Sequence, residues 1–157
     1  MSTFGITVDL GDFERAMDLT ANEAEAAARP AAQAAAQVLY EAVTRNVAGI
    51  KRHTGNLASS IYQAYSADNS TPGCAVYHVS WNAKKAPHGH LVEFGHLQRY
   101  EVTRTRRGFV THKDRPLATP KQVAAKPFIR PAMDKFAQAQ EAARVRFLAD
   151  LAERGVL

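Results

Sequence analysis

The chain has 157 residues, 46% hydrophobic and 22% charged, with seven Phe, five Tyr and one Trp, which fits a single domain over residues 1–157 able to bury one core. No apolar run approaches the roughly 20 residues a bilayer span requires, and MSTFGITVDLGDFE lacks the basic head and apolar stretch of a signal peptide, so the protein is expected in the cytoplasm unless it leaves by a route other than secretion. The net charge of +5 is uneven: residues 1–29 hold six acids against two bases, whereas residues 99–115 hold six bases against two acids.

Residues 3–10 alternate weakly (Phe4, Ile6, Val8, Leu10) and predict a short strand. From Asp12 to about Ala48 the pattern is helical and alanine-rich. Arg29-Pro30 interrupts it, as a kink or as a break between two helices with Pro30 first in the second. Ala35, Leu39, Ala42, Val43 and Val47 fall on one face, the spacing of a buried stripe. Thr54 is placed to cap a short helix holding Leu57 and Ile61 after Gly55, with Ser59 and Ser60 solvating it.

Residues 61–67 and 74–82 read as two strands around the turn Asp68 to Gly73. A loop over 84–90 precedes one helical turn, Leu91 to Phe94, closed by Gly95. Residues 99–112 alternate about Arg107-Gly108 and predict a basic hairpin. A connector punctuated by Pro116, Pro120 and Pro127 leads to a final helix with Pro131 in its first turn. Ile129, Ala132, Met133, Phe136, Ala143, Phe147 and Leu151 form its apolar stripe, and Gly155 stops it. The whole is an α+β fold: a small antiparallel sheet against a long N-terminal helix and a C-terminal helix, with a protruding basic hairpin.

No catalytic constellation emerges. GxSxG, GxGxxG and GxxxxGK[ST] are all missing. Cys74 is alone, which excludes an internal disulfide and a CxxC metal knuckle, and its apolar neighbours predict a small core residue. His88, His90, Glu93 and His96 are all metal-ligand types within nine residues. Their spacing is not HExxH, and a histidine-rich surface loop is the commoner origin of such a run. Glu93 is the only acid between Asp68 and Glu101, and a carboxylate so isolated among bases is more often half of an ion pair than a general acid. No enzyme activity, cofactor or metal is expected.

The hairpin bases Arg99, Arg104, Arg106, Arg107, Lys113 and Arg115, with Tyr100 and Phe109 interleaved, suit either a neighbouring subunit or nucleic acid. A merely solvated hairpin is the third reading. An acidic end and a basic middle in one chain also permit contacts between copies.

Three strings carry a resemblance: Thr54-Gly55-Asn56-Leu57 with Ser60-Ile61, then Val92-Glu93-Phe94-Gly95, then Pro127-Phe128-Ile129-Arg130-Pro131-Ala132. Taken together and in order, they resemble the neck or tail-completion (head–tail connector) proteins of long-tailed bacteriophages, over about residues 10–150. His96, where that family usually has Thr, and the basic insert at 99–115 depart from the pattern. The resemblance implies a structural virion protein, made in the host cytoplasm, whose copies form a ring at the head–tail junction through which DNA passes. It implies sixfold symmetry, with head-completion and tail-terminator or tail-tube proteins as partners, possible non-specific contact with genomic DNA, and no membrane. The string residues Thr54, Gly55, Leu57, Ser60, Glu93, Phe94, Gly95, Pro127, Phe128 and Pro131 are then structural.

Overall fold

Alanine has the highest helix propensity of any residue, and the alanine-rich segment forms one helix, α1 (Gly11–Ala48). The computed structural model describes residues 11–50, 55–106 and 108–156, with the side chains of α1 from Asp18 onward. The strand expected at 3–10, the capping role of Thr54 and the position of Arg107 lie outside those residues. At about 1.5 Å per residue, α1 is on the order of 57 Å long. It runs through Pro30 without a break, so the two-helix alternative does not hold. The buried stripe contains Ala27, Ala31, Ala36, Ala42, Val43 and Val47, whereas Ala35 and Leu39 are half-buried.

The corner after α1 is tighter than expected. Its helix is a three-residue 3-10 turn, Ala58–Ser60, flanked by Leu57 with no side-chain cap. Gly55 supplies a φ of 78°, and its carbonyl accepts the Ser59 amide at 3.0 Å. Ile61 opens strand β1 (Ile61–Tyr65) instead of closing a helix. β1 pairs antiparallel with β2 (Tyr77–Trp81), from Ile61 opposite Trp81 to Tyr65 opposite Tyr77.

Cys74 is exposed, contrary to the expected core position. Thr71 and Cys74 exchange two backbone hydrogen bonds of 2.9 Å, so Cys74 belongs to the turn and the strand begins only at Tyr77. The expected turn of helix, α2, spans Gly89–Phe94, and Gly95 follows it with a φ of 72°.

The expected α+β architecture is present, with the hairpin as a two-stranded sheet of its own. It is longer than residues 99–115: β3 (His96–Thr105) pairs with β4 (Gly108–Val123). Pro116 and Pro120 therefore lie in a strand and not in a connector. The register shifts on either side of Tyr100, which pairs with Pro116. Both strands of a two-stranded ribbon are edges, where a missing amide donor is tolerated.

The final helix also starts later than expected. Arg130–Lys135 is a 3-10 segment with Pro131 in its first turn, and α3 runs Phe136–Glu153. A 3-10 segment turns every three residues and an α-helix every 3.6, so a single stripe cannot stay in phase across the junction. Ala132, Ala139 and Leu151 are buried, whereas Met133 and Phe136 are exposed. Gly155 stops the helix as expected: its amide reaches Ala152, and the Val156 amide reaches Leu151, the paired bonds of a Schellman cap. α3 packs along α1, and Arg154 meets Glu23 at 2.6 Å. The main apolar cluster joins Val43 and Val47 of α1 to Leu57, Ile61, Ala86, Phe128 and Ala132.

Candidate assembly interface

The three strings converge on one junction. Leu57 and Ile61 come from the first, Phe128 and Ala132 from the third, and all four share the main cluster. Phe128 is fully buried and meets Trp81 edge to face, with ring centroids 5.7 Å apart. The Asn46 side chain donates to the Phe128 carbonyl at 2.9 Å, tying the string to α1.

Glu93 of the second string is 1% exposed. Its carboxylate accepts the backbone amides of Phe128 (2.6 Å), Ile129 (3.0 Å) and Arg130 (3.1 Å). The Arg130 Nε adds a fourth bond at 3.2 Å, and Nη2 donates to the Glu93 carbonyl at 2.7 Å. Amides at the start of a helical segment have no partner within it, so Glu93 caps the lead-in to α3 from a distant part of the chain. Burial pushes the Glu93 carboxyl up, but the three amides and the guanidinium outweigh it and hold the group below its ordinary value.

The same junction fixes the base of the hairpin. The Lys126 amide donates to the Val92 carbonyl at 2.8 Å, and His96 pairs with Val123. Gly95 is required here: a Cβ would stand 2.7 Å from the Val123 carbonyl oxygen and 2.8 Å from the Ala125 amide. The hairpin leaves a clamped root.

Beyond its root the hairpin packs mainly on itself, and none of its described residues is buried. Arg99, Arg104, Arg106, Lys113 and Arg115 are all exposed. Arg115 pairs with Glu101 at 3.4 Å and approaches Asp114 at 3.8 Å, whereas the other four make no ion pair among the described residues. Arg104 stands opposite Phe109 in the register, and Thr103 opposite Val110. Phe109 is 66% exposed and Val110 45%, so cations and apolar groups alternate at the tip.

The string residues separate into distinct roles. Leu57, Ser60, Glu93 and Phe128 are buried; Phe94, Pro127 and Pro131 are exposed. The Ser60 hydroxyl donates to the Leu57 carbonyl at 2.7 Å, which fixes the corner. Glu93 is half of an ion pair, as its isolation suggested, but its backbone partners lie 35 to 37 positions away and left no sequence signal. Asn46, Trp81 and Gly89 were missed for the same reason. Gly89 seats against the Trp81 ring, where a Cβ would come within 2.3 Å of Nε1. His88 and His90 are exposed, and the Glu93 oxygens are occupied by amides. Among the described residues, no group of three or more His, Cys, Asp or Glu is placed to hold a metal ion, and no helix is long and apolar enough to cross a membrane.

Comparison with known proteins returns no match among curated proteins and none among solved structures. A family profile described as "Bacteriophage HK97-gp10, putative tail-component" matches residues 12–95. The match takes in α1, the Gly55–Ile61 corner, the β1–β2 pair and α2, and stops where the hairpin begins. Covering more than half of the chain, it shows that the protein belongs to the HK97-gp10-like family of phage tail components.

Proposed function

We propose that this protein is a non-enzymatic neck or tail-completion component of the virion. Its copies close into a ring at the head–tail junction, sixfold by analogy with phage tails, and DNA passes through the opening. Head-completion and tail-terminator or tail-tube proteins sit on either side. Family membership supports a structural role. The observation that carries assembly is the hairpin: an arm rooted in a hydrogen-bonded junction, in which, among the described residues, none is buried and four of the cations make no ion pair. In this reading Arg99, Arg104, Arg106, Arg107, Lys113 and Arg115 form a subunit-facing arm.

Native mass spectrometry of the protein with its tail partner, and an electron-microscopy map of the particle neck, test this. A closed oligomer in the neck density is expected; a strict monomer within particles would overturn the ring. A second reading rests on Tyr100 and Phe109 among the arginines, since bases stack on aromatic rings beside cations. It predicts duplex affinity that falls with salt and with loss of the hairpin arginines.

A further inference from the structure

The arm requires a receiving surface, and the charge pattern indicates where it lies on a second copy. On α1, Asp18, Asn22, Glu25 and Arg29 recur at helical spacing along one face. Asp18 and Glu25 are exposed and make no ion pair among the described residues. Glu23 and Arg29 are engaged already, Glu23 by Arg154 and Arg29 by the Tyr65 ring, 4.2 Å from its centroid. Leu19 beside them is 64% exposed. An open cleft lies between this part of α1 and the β1–β2 connection, lined by Glu25, Arg29, Tyr65, Pro72 and Cys74 among others.

We infer that the tip of the β3–β4 arm docks on a second copy of this chain, in the cleft between the first half of α1 and the β1–β2 connection. Arg104 and Arg106 face Glu25 in the cleft and Asp18 just beyond its end along α1, and Phe109 and Val110 cover Tyr65 and Pro72 in its wall. This rests on the assembly reading above and names its contact. The donor surface and the receiving surface are different parts of the chain, so the contact is head to tail and repeats from copy to copy; it closes into a ring where the rotation per copy permits. Opposite charges orient such a contact and quicken its formation, while the apolar groups exclude water from it.

Cys74 lines the cleft and is the chain's single cysteine, so it reports the contact directly. The full-length Val110→Cys variant, oxidised under mild conditions, is expected to give covalent dimers and longer ladders that vanish when Cys74→Ser is added. A second arm uses charge: Arg104→Glu/Arg106→Glu and Asp18→Lys/Glu25→Lys each shift the oligomer to monomer by light scattering, and the combined reversal restores it. Circular dichroism confirms that each variant is folded. Oligomers that persist with no Cys74-dependent link, or a combined reversal that fails to restore them, overturn this contact while leaving the ring standing. A wild-type chain that stays monomeric in particles overturns both. Loss of duplex binding in Arg104→Glu/Arg106→Glu with an unchanged oligomer overturns the contact in favour of nucleic acid.

Discussion

Glu93 and Arg130 grip each other twice. The guanidinium Nε reaches the Glu93 carboxylate at 3.2 Å, and Nη2 reaches the Glu93 backbone carbonyl at 2.7 Å. The partnership is lopsided: the Glu93 side chain is 2% exposed and that of Arg130 57%. Most of its value therefore lies in the three amides the carboxylate satisfies, and less in an ion pair that water can screen. Glu93→Gln keeps the shape but places an NH2 group where N–H donors point. A hydrogen bond to a charged group contributes about 1.5–3 kcal/mol, so the variant is expected to lose on the order of 2–4 kcal/mol in urea denaturation. Arg130→Lys is expected to lose about 1 kcal/mol or less, because the amide bonds survive. Equal losses in the two variants would contradict this division.

The same group sets an acid response. The folded-state pKa of Glu93 lies below its ordinary value of 4.5, so the unfolded chain takes up the proton first as pH falls. The stabilisation is complete above the ordinary value and disappears as pH drops through the lower folded-state value. Melting temperatures across pH 3 to 7 should fall more steeply below about pH 4.5 for wild type than for Glu93→Gln, which has no carboxyl there to titrate. Parallel curves would assign the acid sensitivity to other groups. Glu141, also held low by Arg144, is on the surface, where such a pair contributes little.

Much of the fold was legible because its signals are local. Alanine content and apolar spacing marked α1, the turn residues 68–73 marked the β1–β2 connection, and Gly95 and Gly155 marked two stops. Apart from Cys74, held in a tight turn with Thr71, and the 3-10 start of the last helix, the failures are non-local. Thr54 to Ile61 has the composition of a capped helix, yet pairing of Ile61 with Trp81 draws Ile61 into a strand. Pro116 and Pro120 look like a connector, but Tyr100 pairs with Pro116 and Gln98 with Lys121, so the segment is held to β3 at both ends. Only apolar Phe128 and isolated Glu93 hinted at the junction, because amide donors leave no mark on side-chain identity. The cationic arm was visible as a charge run. That none of its described residues is buried required the structure.

Glycines at the junction and at the corner should differ. Gly95 combines a φ of 72° with a position where a Cβ would be 2.7 Å from backbone oxygen, whereas Gly55 has a φ of 78° and open space around it. Left-handed geometry alone costs a non-glycine residue about 1–2 kcal/mol. Gly55→Ala is expected to lose about that much, and Gly95→Ala at least about 1–3 kcal/mol more, since backbone must shift. Hydrogen exchange should also quicken at the hairpin root in Gly95→Ala, from His96 to Gln98. Equal destabilisation would show that the root yields without cost.

Two phenylalanines eight positions apart provide another contrast. Phe128 is fully buried against Trp81, and Phe136 is 48% exposed. Phe128→Ala is expected to cost about 3–5 kcal/mol through lost transfer energy and the cavity left behind. Phe136→Ala should stay within about 0.5–1 kcal/mol of wild type, the usual range for surface positions. Chemical denaturation of both variants decides this, and a large loss in purified Phe136→Ala would mean that the exposed ring is covered by another copy in solution.

Pro30 gives the last prediction, in the opposite direction. It lies inside α1, where it has no amide to donate to the Ala26 carbonyl and its ring crowds that carbonyl. Ala27 and Ala31 on either side are buried, so the helix keeps its packing in spite of the proline. Proline in a helix interior is about 3 kcal/mol less favourable than alanine, and packing lost with the half-buried Pro30 ring offsets part of that gain. Pro30→Ala is therefore expected to stabilise the chain by about 1–2 kcal/mol, read as a raised melting temperature and slower amide exchange from Ala26 to Ala34. A variant that is less stable would show that the proline ring makes a packing contribution exceeding the hydrogen bond it removes.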